Sequence, residues 1–183
     1  MANLILNGST SGSVTLSSPA VSGTTTLTLP TTSGTVITTG SSGQSIPKAA
    51  LPTGSVLQVL NTQSSTTVTT SGSGLSTILT LSITPTSSSS KILAFGTVNL
   101  STTNVSNGFG TGYIYRGATG LGYLSIGINS AVSINGSITL MFLDAPSTTS
   151  STSYTLQIAR GSGGTTSVTT DGTYTLTLME IAA

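Results

Sequence analysis

The chain has 183 residues with only four basic and three acidic side chains, a net charge of +1, a mean hydropathy of +0.35, and no His, Cys or Trp. That charge cannot build the basic footprint that nucleic acid requires. The missing residue types remove disulfides, thiolate metal sites and the commonest general base. Ser and Thr supply roughly four residues in ten, far above average usage. A disordered chain would be polar and highly charged, and this one is neither.

The opening Met-Ala-Asn-Leu-Ile-Leu-Asn-Gly has no positive region and only a three-residue apolar run. A secretory signal is not expected from it, and no run approaches the ~18 residues of a membrane span. Membrane insertion is therefore not expected. Ser-Gly then recurs at Ser11-Gly12, Ser22-Gly23 and Ser33-Gly34, an eleven-residue spacing. The units align as SGSVTLSSPAV, SGTTTLTLPTT and SGTVITTGSSG, with Gly permitting a turn and Pro19 and Pro30 closing two of them. Residues 1–45 are read as a β-repeat stem. Leu4, Ile5, Leu6, Val14 and Leu16 are its candidate attachment residues. A boundary is read at 40–53, Gly- and Ser-rich at first and then carrying Pro47, Lys48 and Pro52, with 46–53 as the linker.

From 54 to 183 the chain reads as a run of antiparallel strands. They are expected at 55–60, 66–70, 75–84, 91–101, 112–116, 122–128, 131–134, 137–143, 153–160, 165–169 and 173–181. Thr, Val, Ile and Leu suit a pleated surface, and period-two alternation is explicit at 154–158 and 173–178. Asn135-Gly136 and Asp171-Gly172 carry type I′ hairpin chemistry. The fold class expected is all-β: a short stem, then an antiparallel sandwich knob of jelly-roll type. The stem lacks aromatic bulk and charge, so its strand edges are unguarded. Closure against other copies, as a homotrimer, is the expected remedy.

Catalysis finds little support. The acids Asp144, Asp171 and Glu180 show no spacing that pairs them, and serine nucleophiles lack a histidine base. The Gly-x-Gly string at 108–112 lacks the following helix of a phosphate loop. No enzyme activity, cofactor or metal is expected. The clearest concentration of recognition chemistry is Tyr113-Ile114-Tyr115-Arg116 followed by Tyr123. Tyr113 and Tyr115 project from one face of a strand, and a turn at 117–120 brings Tyr123 across. Tyr and Arg suit binding surfaces, so Tyr113, Tyr115, Arg116 and Tyr123 form the candidate receptor-binding surface. Packing between sheets or at a subunit seam is the alternative use of these rings. The loop at 104–110 is a second candidate.

The opening Asn7-Gly-Ser-Thr-Ser-Gly-Ser-Val-Thr-Leu, Pro19-Ala-Val, Gly23-Thr-Thr-Thr-Leu-Thr-Leu-Pro30 and Gly34-Thr-Val resembles the N-terminal segments of fibre and virion-surface proteins of tailed bacteriophages. Phe142-Leu-Asp-Ala-Pro146, Tyr154, Arg160-Gly-Ser-Gly-Gly164 and Leu178-Met-Glu-Ile181 are similar to the terminal β-domain of tail-fibre-like proteins. The likeness covers roughly half the chain. It implies a trimeric fibre on the virion surface, assembled in the bacterial cytoplasm. Its implied partners are itself, other tail or capsid proteins, and a host-surface glycan or protein. The chain has no room for a long shaft or depolymerase domain. A short fibre, head fibre or capsid decoration fits the size as well, and a bacterial surface adhesin is a further alternative.

Overall fold

A computed structural model describes residues 4–7, 9–16, 23–24, 26, 31, 51–71, 74–104, 108–128, 134–161 and 165–183. At 14, 16, 103, 104, 108, 128, 165 and 166 the backbone alone is described. The chain divides into two units, Met1–Gln44 and Ser45–Ala183.

In the first unit, β1 (Leu4–Asn7) pairs antiparallel with β2 (Ser13–Leu16), with Leu4 opposite Leu16. Gly12, at φ 80°, supplies the left-handed step of the turn. The strand of the first repeat unit therefore pairs with the segment before it. Most of the second and third repeat units lies outside the described residues. Leu4, Ile5 and Leu6 each expose more than half their surface.

The second unit holds ten strands among the described residues. They are β3 (Val56–Ser64), β4 (Thr69–Thr70), β5 (Ser76–Ile83), β6 (Lys91–Asn104), β7 (Gly108–Arg116), β8 (Thr119–Ile128), β9 (Ile134–Asp144), β10 (Thr152–Arg160), β11 (Thr165–Thr170) and β12 (Tyr174–Ile181). The pairing is nested. β7 pairs with β8, β6 with β9, β5 with β10 and β3 with β12, all antiparallel. One sheet runs β3-β12-β6-β9, with β11 and β4 extending it beside the far end of β6, and the other runs β5-β10-β7-β8. Four nested pairs divided between two facing sheets make a jelly roll. The expected sandwich is therefore present in this unit.

The core follows from alternation. Ile92, Ala94, Val98 and Leu100 of β6 point inward, as do Leu156 and Ile158 of β10 and Leu176 and Leu178 of β12. Where the sheets approach closely, glycine replaces a side chain. A Cβ on Gly96 would lie 3.1 Å from Leu156 Cδ1, and one on Gly110 2.9 Å from Thr102 Cγ2. The open side between β8 and β9 is closed in the same way, with the Phe142 ring in the space a Gly122 side chain would take.

Both expected type I′ hairpins are absent. Asn135 and Gly136 lie inside β9, opposite Ser101 and Leu100 of β6. Eleven successive cross-strand partners outweigh a local turn preference. Asp171 and Gly172 separate β11 from β12, yet both strands run along the same edge of β6. They form one interrupted strand, kinked where Gly172 takes φ 68° and Asp171 N donates to Asn99 O at 2.9 Å. The expected strand at 131–134 falls largely outside the described residues.

Glu180 is buried at the end of β12. Its carboxylate accepts from Gln58 Nε2 at 2.6 Å, Thr86 N at 2.6 Å and Thr86 Oγ1 at 2.7 Å. The nearby Ser90 hydroxyl favours the anion without reaching hydrogen-bond geometry. Burial pushes the pKa up, but these donors outweigh it and hold the carboxyl below its ordinary 4.5. Thr86 lies on the connection from one sheet to the other, so Glu180 ties that crossing to β12.

Gly110→Ala is expected to lose about 1–3 kcal/mol in urea unfolding, because Thr102 and Val168 are stiff and buried. Gly74→Ala, in open space, is expected to stay within about 0.5 kcal/mol. Glu180 stabilises as an anion, so its contribution is complete above its ordinary pKa of 4.5 and fades as pH falls below it. Glu180→Gln is expected to lose about 1–3 kcal/mol at neutral pH and to flatten the acid limb of a melting-temperature profile. An unchanged acid limb would remove Glu180 from the acid response.

Candidate functional site

Tyr113 and Tyr115 lie on β7, and Tyr123 on β8 directly opposite Tyr113. The hairpin between these strands has a two-residue loop, Gly117-Ala118, with Arg116 paired to Thr119. Gly117 takes φ 54° while Ala118 stays out of the left-handed region, the arrangement of a type II′ turn. This turn places the three rings on the outer face of the sheet. The Tyr113 and Tyr123 centroids are 5.6 Å apart with a 37° tilt, and those of Tyr113 and Tyr115 are 6.3 Å apart with a 48° tilt. Such offset contacts suit ring quadrupoles.

Exposure differs along the group. Tyr123 is 67% exposed, while Tyr113 and Tyr115 are half-buried. The Tyr115 ring covers Gly120, where a Cβ would sit 3.3 Å from Cζ. Across β10 the neighbours are Gln157 beside Tyr113 and Thr155 beside Tyr115, and Gln157 Nε2 donates to Thr155 Oγ1 at 2.8 Å. Thr80 of β5 extends the row beyond Thr155. The face is thus an aromatic strip bordered by hydroxyl and amide groups. It offers apolar area with neutral donors and acceptors. Gln157, Thr155 and Thr80 escaped sequence reasoning because β8 and β9 intervene between β7 and β10 in the chain order, and β6 between β5 and β7. Their own period-two alternation is the signal that placed them on an outward face.

Arg116 does not join that face. One residue beyond Tyr115, it falls on the opposite side of β7, opposite Tyr154 of β10. Its Nη1 donates to both carboxylate oxygens of Asp144, each at 3.0 Å. Tyr154 OH donates to Asp144 Oδ2 at 2.7 Å. Asp144, the last residue of β9, belongs to one sheet, and Arg116 and Tyr154 belong to the other. The triad ties the sheets together at one end of the sandwich. Burial of Tyr154 raises its pKa well above the usual phenol value. The hydrogen bond and charge of Asp144 push the same way, and Arg116 opposes them. Asp144 is thus a tie between sheets rather than the turn residue its Leu-Asp-Ala-Pro setting suggests.

Among the candidate attachment residues, Leu4, Ile5 and Leu6 are exposed along β1. Val14 and Leu16 sit on β2 opposite Leu6 and Leu4, and their side chains lie outside the described residues. The loop at 104–110 is described only in part, with 105–107 outside. Asp144 and Glu180 are both engaged in structural hydrogen bonding. Among the described residues, no group of three His, Cys, Asp or Glu side chains gathers in metal-binding fashion.

No family model matches the chain, and no curated protein matches it. Among solved structures, it is similar to that of the infectious bursal disease virus Gx strain, with TM-score 0.42 and 12% identity over 78% of this chain and 42% of that one. It is also similar to the infectious bursal disease virus VP2 subviral particle, with TM-score 0.37 and 16% identity over 69% of this chain and 37% of that one. The chain spans less than half the length of these structures.

Asp144→Ala leaves a guanidinium and a phenol without their acceptor and is expected to lose about 3 kcal/mol. Tyr154→Phe keeps the ring and is expected to lose about 1.5–3 kcal/mol, as for a hydrogen bond to a charged group. Denaturant unfolding of both variants and of the double variant checks this. Strictly additive losses would show that the triad does not act as a unit.

Proposed function

We propose that this chain is a structural protein of a bacteriophage particle: a homotrimeric fibre at the virion surface, assembled in the bacterial cytoplasm. In this reading the first unit docks on tail or capsid proteins, and the jelly roll points outward toward the host surface. The observation that carries it is the combination of two unlike units. One presents Leu4, Ile5 and Leu6 outward on a hairpin. The other is a self-contained jelly roll with an aromatic strip on an otherwise Ser- and Thr-rich outer face. The sequence likeness to fibre proteins supports the same division. The work is geometric rather than catalytic. Three copies present three equal surfaces, so weak contacts to a glycan or protein gain avidity. A net charge of +1 limits unspecific electrostatic adhesion.

Two particle variants test the division of labour. Deletion of residues 1–44 is expected to leave a folded jelly roll that no longer enters particles. Tyr113→Ser with Tyr123→Ser is expected to enter particles normally and to lower adsorption to host cells several-fold. A truncated chain found in particles, or unchanged adsorption of the double variant, would refute the corresponding half. Electron microscopy of labelled particles reports the location: tail label supports the fibre, and head label replaces it with a head fibre or capsid decoration.

A further inference from the structure

The two outer faces of the jelly roll are unlike. Outside β5-β10-β7-β8 the side chains include Thr80, Ser82, Ser153, Thr155, Gln157, Ser125 and the tyrosines, with Phe109 and Ala159 toward one end. Outside β3-β12-β6-β9 the rows change from polar to apolar along the strands. The row of Gln63, Thr175, Thr97 and Thr139 is polar. The next, Asn61, Thr177, Phe95 and Met141, is mixed. The third, Val59, Met179, Leu93 and Leu143, is apolar across all four strands. Val56 and Ile181 continue it, with Lys91 at the margin. Val56, Val59, Met141 and Leu143 are each more than half exposed, Leu143 at 65%.

We propose that this face is where copies of the chain associate, the occupant being another copy of the same chain. Charge selects the occupant. Lys91 is the only charged side chain in these rows, so a charged protein finds no complement and an anionic membrane finds one cation where several are needed. The chain's own net charge is +1, so copies approach almost without repulsion. The devices that keep a sheet face solitary, inserted Lys, Glu or Pro, are missing from the mixed and apolar rows, and Lys91 stands only at their margin. Four strands and about eight residues give a face of about 19 Å by 27 Å, roughly 500 Å². That is most of the about 800 Å² per partner that a stable interface uses. Its apolar rows pass into a Thr- and Asn-bearing margin on one side and meet Lys91 on the other, a polar border of the kind an interface rim has.

The inference rests on the reading of the chain as a homo-oligomer and assigns the contact surface of its second unit. The chain has no native cysteine, so single-cysteine variants of the full chain report contacts directly. Met141→Cys is expected to cross-link copies with a bis-maleimide, while Thr80→Cys on the opposite face stays single. Leu143→Glu is expected to raise the subunit dissociation constant at least about tenfold, with far-ultraviolet circular dichroism unchanged. The native mass of the unmodified chain separates the failures. A trimer whose Met141→Cys variant does not cross-link overturns this surface and leaves the trimer standing. A monomer overturns both. Cross-linking that appears only after a different virion protein is added also overturns it.

Discussion

The second unit is built on pairing between segments far apart in the chain, and β6 is the strand on which that pairing converges. One edge of β6 is matched along its length by β9, and the other is matched in succession by β12 and β11. A strand with both edges occupied has no backbone group left for solvent, so its neighbours' positions follow from its own. The inward residues of β6 then fix which faces meet the second sheet. Glycine does the remaining adjustment: at 96, 110 and 122 the sheets approach so closely that a methyl group would collide with a packed side chain.

Charges are few, and three of the described ones hold the fold together. Arg116 and Asp144, with Tyr154, clamp the sheets at one end. Glu180 is held by neutral donors alone and secures the crossing at Thr86. These groups stiffen the sandwich rather than decorate it. Wetting the exterior therefore falls to hydroxyl groups, which favour solvent without steering partners over long distances. Such a surface offers ring area and shape at the tyrosine strip, and dry apolar area on the row from Val59 to Leu143.

The strands themselves were legible because apolar and hydroxyl residues alternate along them, and 75–84, 91–101 and 173–181 correspond closely to β5, β6 and β12. Turn chemistry misled where tertiary pairing prevailed. Asn135-Gly136 favours a hairpin in isolation, but here it continues a ladder of eleven pairs. The tyrosine group was legible from a spacing of two and a glycine turn. The role of Arg116 was not, because its partner lies 28 residues away on the other sheet. The same period-two rule that groups Tyr113 with Tyr115 does place Arg116 on the opposite side.

The position of β12 has a bearing on how the chain is made. It is the final strand in sequence, yet it lies between β3 and β6 and contributes Tyr174, Leu176 and Leu178 to the core. Until β12 is in place, β3 has no neighbour in its sheet, and a quarter of the nested pairing is missing. The sandwich therefore cannot close until β12 has been made and has inserted between β3 and β6. High separation between paired segments also slows the search. A chain with β12 not yet placed is thus an unavoidable stage of folding, and its lifetime sets how long the apolar inner faces of both sheets stay open to solvent.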